Sequence, residues 1–328
     1  MLVNVTRSNI LLTSAGRRVE LMQAFQDSLK ARMTSSRVYC ADLKPDLSSA
    51  CAAADSPYSL PRVTSPDYPQ ALLSLCRELD IALVIPTIDT ELLVMAQQKA
   101  AFAEQGVTLV VSDERLIALC RDKRLTPRLY AELGIDTLAI FDPAALTFPC
   151  FTKPAGGSSS IGAFRLDRAD EIDQGMRDDP DRMYMDLASP DWGETTVDIY
   201  CDRAGEVMAI VPRQRIETRA GEVSKGCTRR GWLHAYLAAR LKRIPGGVGC
   251  LTLQVFTDDV AQRCYAIEIN PRFGGGYPLS YAAGADFPGW LIDEYMLGKT
   301  LEPSDSWEED LLMLRYDAKI LVHHHPSS

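Results

Sequence analysis

Hydrophobic positions recur along this chain with two different periods. In the first third, apolar runs of strand length lie at Ser8 to Thr13, Arg37 to Ala41, Ile81 to Pro86 and Thr108 to Val111. Between them, apolar residues spaced three and four apart predict helices from Arg18 to Lys30, Asp67 to Leu79 and Glu91 to Glu104. Strand–helix alternation of this kind predicts a mostly parallel sheet with helices on both faces. After residue 140 the period shortens to two. Phe148–Pro154, Arg182–Ala188, Glu194–Tyr200, Glu206–Val211, Gly249–Phe256 and Cys264–Asn270 alternate apolar with polar, and Ser189-Pro190-Asp191, Asp202 to Gly205 and Asp258-Asp259 supply turns. That pattern predicts antiparallel pairing. Helices are expected over Asp113–Ala118, capped by Ser112, over Trp232–Arg243 and over Phe287–Leu297, with a closing strand at Ala318–Val322.

The strand ending in Glu268-Ile269-Asn270-Pro271-Arg272-Phe273-Gly274-Gly275-Gly276 carries the most chemistry. Alternation puts Glu268 and Asn270 on one face, with Arg272 next in line. A carboxylate and a carboxamide offer oxygens to a hard cation such as Mg²⁺, and a guanidinium offers a planar fork to phosphate. Gln254 precedes Glu268 by fourteen residues. A loop centred near Asp259 to Ala261 brings it close to Glu268, as a third oxygen ligand. The same stretch also fits an edge strand with a solvated polar face and a glycine turn.

Lys153 ends a short strand and enters Gly156-Gly157-Ser158-Ser159-Ser160. Such a loop can present N–H groups and hydroxyls to phosphate oxygens, although it lacks the GK[ST] of a Walker loop, and a flexible hairpin fits it equally well. At the carboxyl ends of the first-domain strands, where ligands of parallel sheets bind, lie Gly16, Arg17, Arg18, Asp42, Thr87, Asp89 and Glu91. Arg17, Asp89 and Glu91 are candidates for substrate, as are Arg213 and Arg215 in the arginine-dense segment 212–219. Helix capping and an amphipathic edge strand are the competing explanations. The absence of GxGxxG counts against a dinucleotide-dependent oxidoreductase.

The chain has 328 residues and a net charge of −9, which argues against nucleic acid or an anionic membrane as partner. No apolar run reaches spanning length, and no signal peptide is evident. Nine cysteines without a CxxC predict reduced, buried thiols and a cytoplasmic setting. His234, the single histidine before the terminal run, reads as a helix-surface residue. The final HHHPSS (323–328) is a tail or tag remnant.

Together these residues resemble an ATP-grasp enzyme, similar to the carboxylate–amine ligases related to the large subunit of carbamoyl-phosphate synthetase. Asp122-Lys123, Phe151-Thr152-Lys153-Pro154 with its Gly/Ser loop, Gly193-Glu194-Thr195-Thr196-Val197-Asp198, and Gln254 with Glu268-Ile269-Asn270-Pro271-Arg272 carry the resemblance in order and spacing. It implies an α/β plus α+β architecture. A Rossmann-like parallel-sheet domain (1–112, the pre-ATP-grasp domain) would precede an ATP-grasp fold of two α+β subdomains, a small one at 113–188 and a large one at 189–322. It implies ATP and Mg²⁺, or Mn²⁺ in its place. Lys123, Lys153 and the loop would contact phosphates, and Asp186 and Leu187 the adenine edge. Glu194 would bind ribose, Gln254, Glu268 and Asn270 the metal, and Arg272 the transferring phosphoryl group. The implied reaction phosphorylates a small-molecule carboxylate and lets an amine attack the acyl phosphate. A homodimer is common in such proteins. A nucleotide-binding regulatory or assembly protein with little turnover is the alternative.

Overall fold

The computed structural model describes residues 7–54, 56–156, 162–219 and 221–323. Five parallel strands form the first sheet: β1 (Asn9–Thr13), β2 (Val38–Asp42), β3 (Pro57–Ser59), β4 (Ile81–Pro86) and β5 (Thr108–Leu109), in the order β3-β2-β1-β4-β5. Helices α1 (Val19–Lys30), α2 (Ser49–Ala53), α3 (Tyr68–Glu78) and α4 (Asp89–Ala103) connect them. In α1, Leu21, Met22, Phe25 and Leu29 recur at helical spacing and are buried.

Helices α5 (Glu114–Arg121) and α6 (Thr126–Leu133) lead into the remaining sheets. Asp113, not Ser112, caps α5: its Oδ1 accepts the Leu116 N–H at 2.7 Å, while the Ser112 hydroxyl accepts from Val248 N–H. Short strands β6 (Asp136–Thr137) and β7 (Ile140–Phe141) come next, followed by β8 (Cys150–Pro154), β9 (Phe164–Leu166), the short helix α7 (Gln174–Asp178) and β10 (Arg182–Met185). Antiparallel β7-β10-β8-β9 make a small sheet of their own.

The large sheet has seven strands, ordered β16-β13-β12-β11-β14-β15-β6. They are β11 (Gly193–Cys201), β12 (Val207–Arg219), β13 (Glu222–Thr228), β14 (Gly249–Asp258), β15 (Arg263–Asn270) and β16 (Leu312–Leu314), with β6 parallel to β15 and the rest antiparallel. Helices α8 (Gly231–Arg240), α9 (Tyr277–Ala282) and α10 (Phe287–Leu291) pack on it.

Four further expectations are corrected. The strand at 206–211 runs on through Pro212 to Arg219, and it lies inside the sheet rather than at an edge. Pro212 is tolerated there because the β13 ladder starts only at Arg213, so its missing N–H faces a side with no partner strand. The closing strand is 312–314, where Leu312 and Leu314 stand opposite Cys227 and Lys225, not 318–322. Residues 292–296 make a π-helical turn after α10 instead of continuing it. His234 is buried, with Nε2 at 3.1 Å from Asp305 Oδ1, not a surface residue. All nine cysteines are buried free thiols, and among the described residues no helix is long and apolar enough to cross a membrane. One core cluster joins the halves of the chain: Ile10, Leu12 and Phe25 of the first sheet and α1 pack with Tyr200, Phe273 and Phe287.

Candidate functional site

Register places the site. Gln254 stands directly opposite Glu268, and Thr252 opposite Asn270, across β14 and β15. Thr196 and Asp198 of β11 face Gln254 and Thr252, and Arg213 of β12 faces Thr196. Directly paired residues share a face. Glu268, Gln254, Thr196 and Arg213 therefore make one row across the sheet, with Asn270, Thr252 and Asp198 beside it.

Three cavities open along this face. The largest, about 1190 Å³, lies between the small and large sheets, walled by Phe151, Lys153, Met185, Leu187, Glu194 and Phe256 among others. A second, about 220 Å³, is lined by Arg17, Arg18, Arg213, Arg215 and Arg272 and by the turn Gly274 to Gly276. The third, about 380 Å³, lies between the parallel-sheet domain and the large sheet, and includes Asp89, Lys123 and Arg272. Glu268 lines all three.

The lysines and the carboxylate converge. Lys123 Nζ lies 3.9 Å from Glu268 Oε2. Burial, and then the charge of Lys123, lower the Lys153 pKa, with Glu268 pulling the other way. Asn270 Nδ2 donates to Glu268 Oε1 at 3.0 Å. Arg272 gives Nη2 to Asp89 Oδ2 at 2.6 Å and Nη1 to the Phe273 carbonyl at 3.2 Å, while its buried Nε has no partner among the described residues. Glu194 accepts from Arg215 Nη1; burial raises its pKa and Arg215 opposes the rise. Asp186 spends its N–H on the Ala139 carbonyl and its Oδ1 on Leu187 N–H (2.9 Å), which leaves the carbonyls of this segment for a ligand's donors.

Other candidates are placed differently. Arg17 is 72% exposed and paired with Glu222 at 2.9 Å, whereas Arg18, its neighbour, lies partly buried between the two smaller cavities. Arg213 is buried and bound to Asp198. Glu91 is fully buried, accepts from Thr13 and Tyr68, and lines none of the three cavities. Gly156 lines the largest cavity; Gly157, Ser158, Ser159 and Ser160 lie outside the described residues. Glu222 belongs to a strand that alternation did not reveal, because Val223 is almost its only large apolar residue.

The donor set fits a hard cation. Gln254, Glu268 and Asn270 offer oxygens only, and a single carboxylate among them suits an ion held chiefly by phosphate oxygens and water. Among the described residues no three His, Cys, Asp or Glu side chains group as a metal site.

Two parts of the chain match known families. Residues 10–110 match the family model described as PylC-like, N-terminal domain, and residues 187–315 that described as ATP-grasp in the biosynthetic pathway with Ter operon. A segment of 80 residues is 38% identical to the vancomycin/teicoplanin A-type resistance protein VanA of Enterococcus faecium, a match spanning 22% of this chain and 23% of that relative. The fold is similar to that of a biotin carboxylase–βγ-ATP complex from Campylobacter jejuni (TM-score 0.71, 15% identity, 93% of this chain and 74% of that one). It is also similar to N5-carboxyaminoimidazole synthetase from Staphylococcus aureus complexed with ADP (0.68, 14%, 90% and 78%). A third likeness is to L-amino acid ligase from Bacillus licheniformis (0.65, 15%, 90% and 75%). At these identities the structural likeness is one of fold.

Proposed function

The chain belongs to the ATP-grasp superfamily, and from that premise we propose that it is an ATP- and Mg²⁺-dependent ligase, acting in the cytoplasm, that activates a small carboxylate as an acyl phosphate and joins it to an amine. One observation carries the reading: Glu268 is common to a nucleotide-sized cavity, an arginine-lined cavity and a cavity between domains. Three reactants can therefore meet at one carboxylate.

ATP fits the largest cavity, with adenine between Met185, Leu187 and Phe256, ribose at Glu194, and phosphates at Lys123 and Lys153. Gln254, Glu268 and Asn270 would hold Mg²⁺, which when bound would offset the charge on the phosphates. The acid sits in the arginine-lined cavity, and one carboxylate oxygen forms a bond to the γ-phosphorus as ADP leaves. Arg272 faces the charge that develops on the transferring group. The amine approaches from the cavity between domains and attacks the acyl carbon. Phosphate leaves with the bonding electrons, and the amine's proton passes to Asp89, the carboxylate besides Glu268 in that wall. A binder with little turnover has no use for three cavities converging on one phosphoryl site, and no observation favours it.

Phosphate release from Mg·ATP, measured with pools of carboxylic acids and of amino acids, tests the reading. Release that needs an acid and an amine, with a condensed mass as product, is the expected result. ATP binding without phosphate release in any pool would reject it.

A further inference from the structure

The arginine-lined cavity offers more cationic donors than one reacting carboxylate can use. Four of its five arginines already have a carboxylate: Arg17 pairs with Glu222, Arg213 with Asp198, Arg215 with Glu194 and Arg272 with Asp89. Each pair still leaves N–H groups unspent. Asp198 takes Nε and Nη2 of Arg213 at 2.7 and 3.0 Å, while Nη1 makes no hydrogen bond among the described residues. That edge lies against Gly276, where a β-carbon would collide with it, so the glycine is what lets the guanidinium reach the cavity wall.

Arg18 is the unmatched cation. Among the described residues its side chain has no ion pair or hydrogen bond, although it borders both smaller cavities and lies beside Gly275. Its pKa is lowered by burial and then by the neighbouring charge of Arg272, with the carboxylates of Glu222 and Asp89 opposing the fall. A partly desolvated cation with no ion pair of its own is stabilised by an anion bound beside it.

Acceptors on the cavity wall are few and mostly committed. Glu222 gives one oxygen to Arg17 and the other to Arg315. Glu268, Gln254 and Asn270 lie at the opposite end, on the phosphoryl side. The row from Glu268 through Gln254 and Thr196 to Arg213 crosses three strand spacings, about 14 Å. A carboxylate presented at the Glu268 end does not also reach Arg213. The cavity, about 220 Å³, suits a small molecule.

We propose that the acid carries two anionic groups, one carboxylate that is presented to Arg272 for phosphorylation and a second anion, carboxylate or phosphate, that is seated between Arg18 and the free edge of Arg213. This rests on the reading of the cavity as the seat of the acid, and it adds the chemical class of that acid.

The test is calorimetric titration of the Mg·ADP-saturated protein with matched pairs that differ by one anionic group. Succinate is compared with succinamate, glutarate with glutaramate, L-glutamate with L-glutamine, and 3-phosphoglycerate with glycerate; the last pair separates a phosphate from a carboxylate as second anion. At least one doubly anionic acid should bind about 10- to 100-fold more tightly than its partner, the range of one charge-assisted hydrogen bond. Arg18→Ala should remove that preference and Arg18→Lys restore part of it, with Mg·ADP affinity and melting temperature unchanged. Equal binding within every pair, no binding by any doubly anionic acid, or a preference that survives Arg18→Ala overturns the proposal. Phosphate release from Mg·ATP in parallel samples separates the two readings. Selective binding without release leaves the two-anion seat standing and removes the ligase. Release that is equal for an acid and its amide keeps the ligase and removes the seat.

Discussion

Replacing Arg213 with methionine probes the point where the sheet's interior becomes the site. Arg213 is 2% exposed and Asp198 0%. Asp198 Oδ2 accepts from Arg213 Nε (2.7 Å) and from Ser280 Oγ (2.6 Å), and Oδ1 accepts from Arg213 Nη2 (3.0 Å) and Thr252 Oγ1 (3.3 Å). Methionine keeps the apolar stem and removes the guanidinium, so Asp198 is left buried with the Ser280 hydroxyl, a Thr252 hydroxyl shared with the Arg272 carbonyl (3.0 Å), and no countercharge. Breaking a buried pair from one side costs about 3–5 kcal/mol, and the two remaining donors place the loss near the lower end, at about 3 kcal/mol. Urea unfolding followed by tryptophan fluorescence at pH 7 measures it. Adding Asp198→Asn removes the stranded charge yet keeps an acceptor for Ser280 and Thr252, and should recover at least half of the loss. An Arg213→Met variant within about 1 kcal/mol of the parent, or a double variant no better than the single, refutes the argument.

Further outcomes follow from the same geometry. Glu268→Ala should cut phosphate release about 10²–10³-fold with the unfolding transition unchanged, since it removes a ligand from a polar cleft; turnover like the parent's would sink the metal assignment. Lys153→Ala should weaken ATP about 10- to 100-fold and leave adenosine binding alone, and an equal loss for both would place the lysine elsewhere than at phosphate. Burial pushes the Glu91 carboxyl up to about 7 from 4.5, against the hydrogen bonds from Thr13 and Tyr68. The native state thus holds a proton that the unfolded chain releases, and this group costs stability as pH rises from about 4.5 to 7, by about 3.5 kcal/mol at ~1.4 kcal/mol per unit. Glu91→Gln should flatten that slope in thermal melts at pH 5 and pH 8, and an unchanged slope would assign it to other groups.

Periodicity made the architecture legible where one face of each element is buried. β4 matches its expected span of Ile81–Pro86, and the Gln254–Glu268 pairing follows from the loop length between two alternating strands. Two strands of the large sheet were harder to read. β13 carries serine, lysine, glycine and threonine where a strand usually signals with branched apolar residues, and it is held by its neighbours on both sides. β16 has only three residues, and its pairing with β13 is decided by tertiary contact rather than by local pattern. Side-chain direction was the least legible property. Nothing in Arg17-Arg18 says that the first faces solvent and the second a cavity, because that depends on how α1 docks through Phe25 against Phe273. Asp198 was within reach: Glu194, Thr196 and Asp198 alternate on one face, and the innermost of three such polar residues needs a partner.

The first domain is better understood as a wall of the site than as a separate module. Its parallel sheet ends in a turn whose Gly16 N–H is tied to Asp42 Oδ2 at 2.9 Å, so the acid at the end of β2 secures the loop that carries Arg17 and Arg18. Arg17 reaches Glu222 of β13, and Asp89 at the start of α4 reaches Arg272 beyond β15. These contacts touch opposite flanks of the large sheet, four strand spacings apart, about 19 Å. A shift of the domain by a few ångströms would break one or both and would withdraw Arg18 from the arginine-lined cavity. The shared apolar cluster of Ile10, Phe25, Phe273 and Phe287 opposes such a shift, since separating the halves exposes buried aromatic area at about 25 cal/mol per Å². Packing between domains thus fixes where the unmatched arginine points, and the specificity proposed for the acid depends on that packing as much as on the residues that touch it.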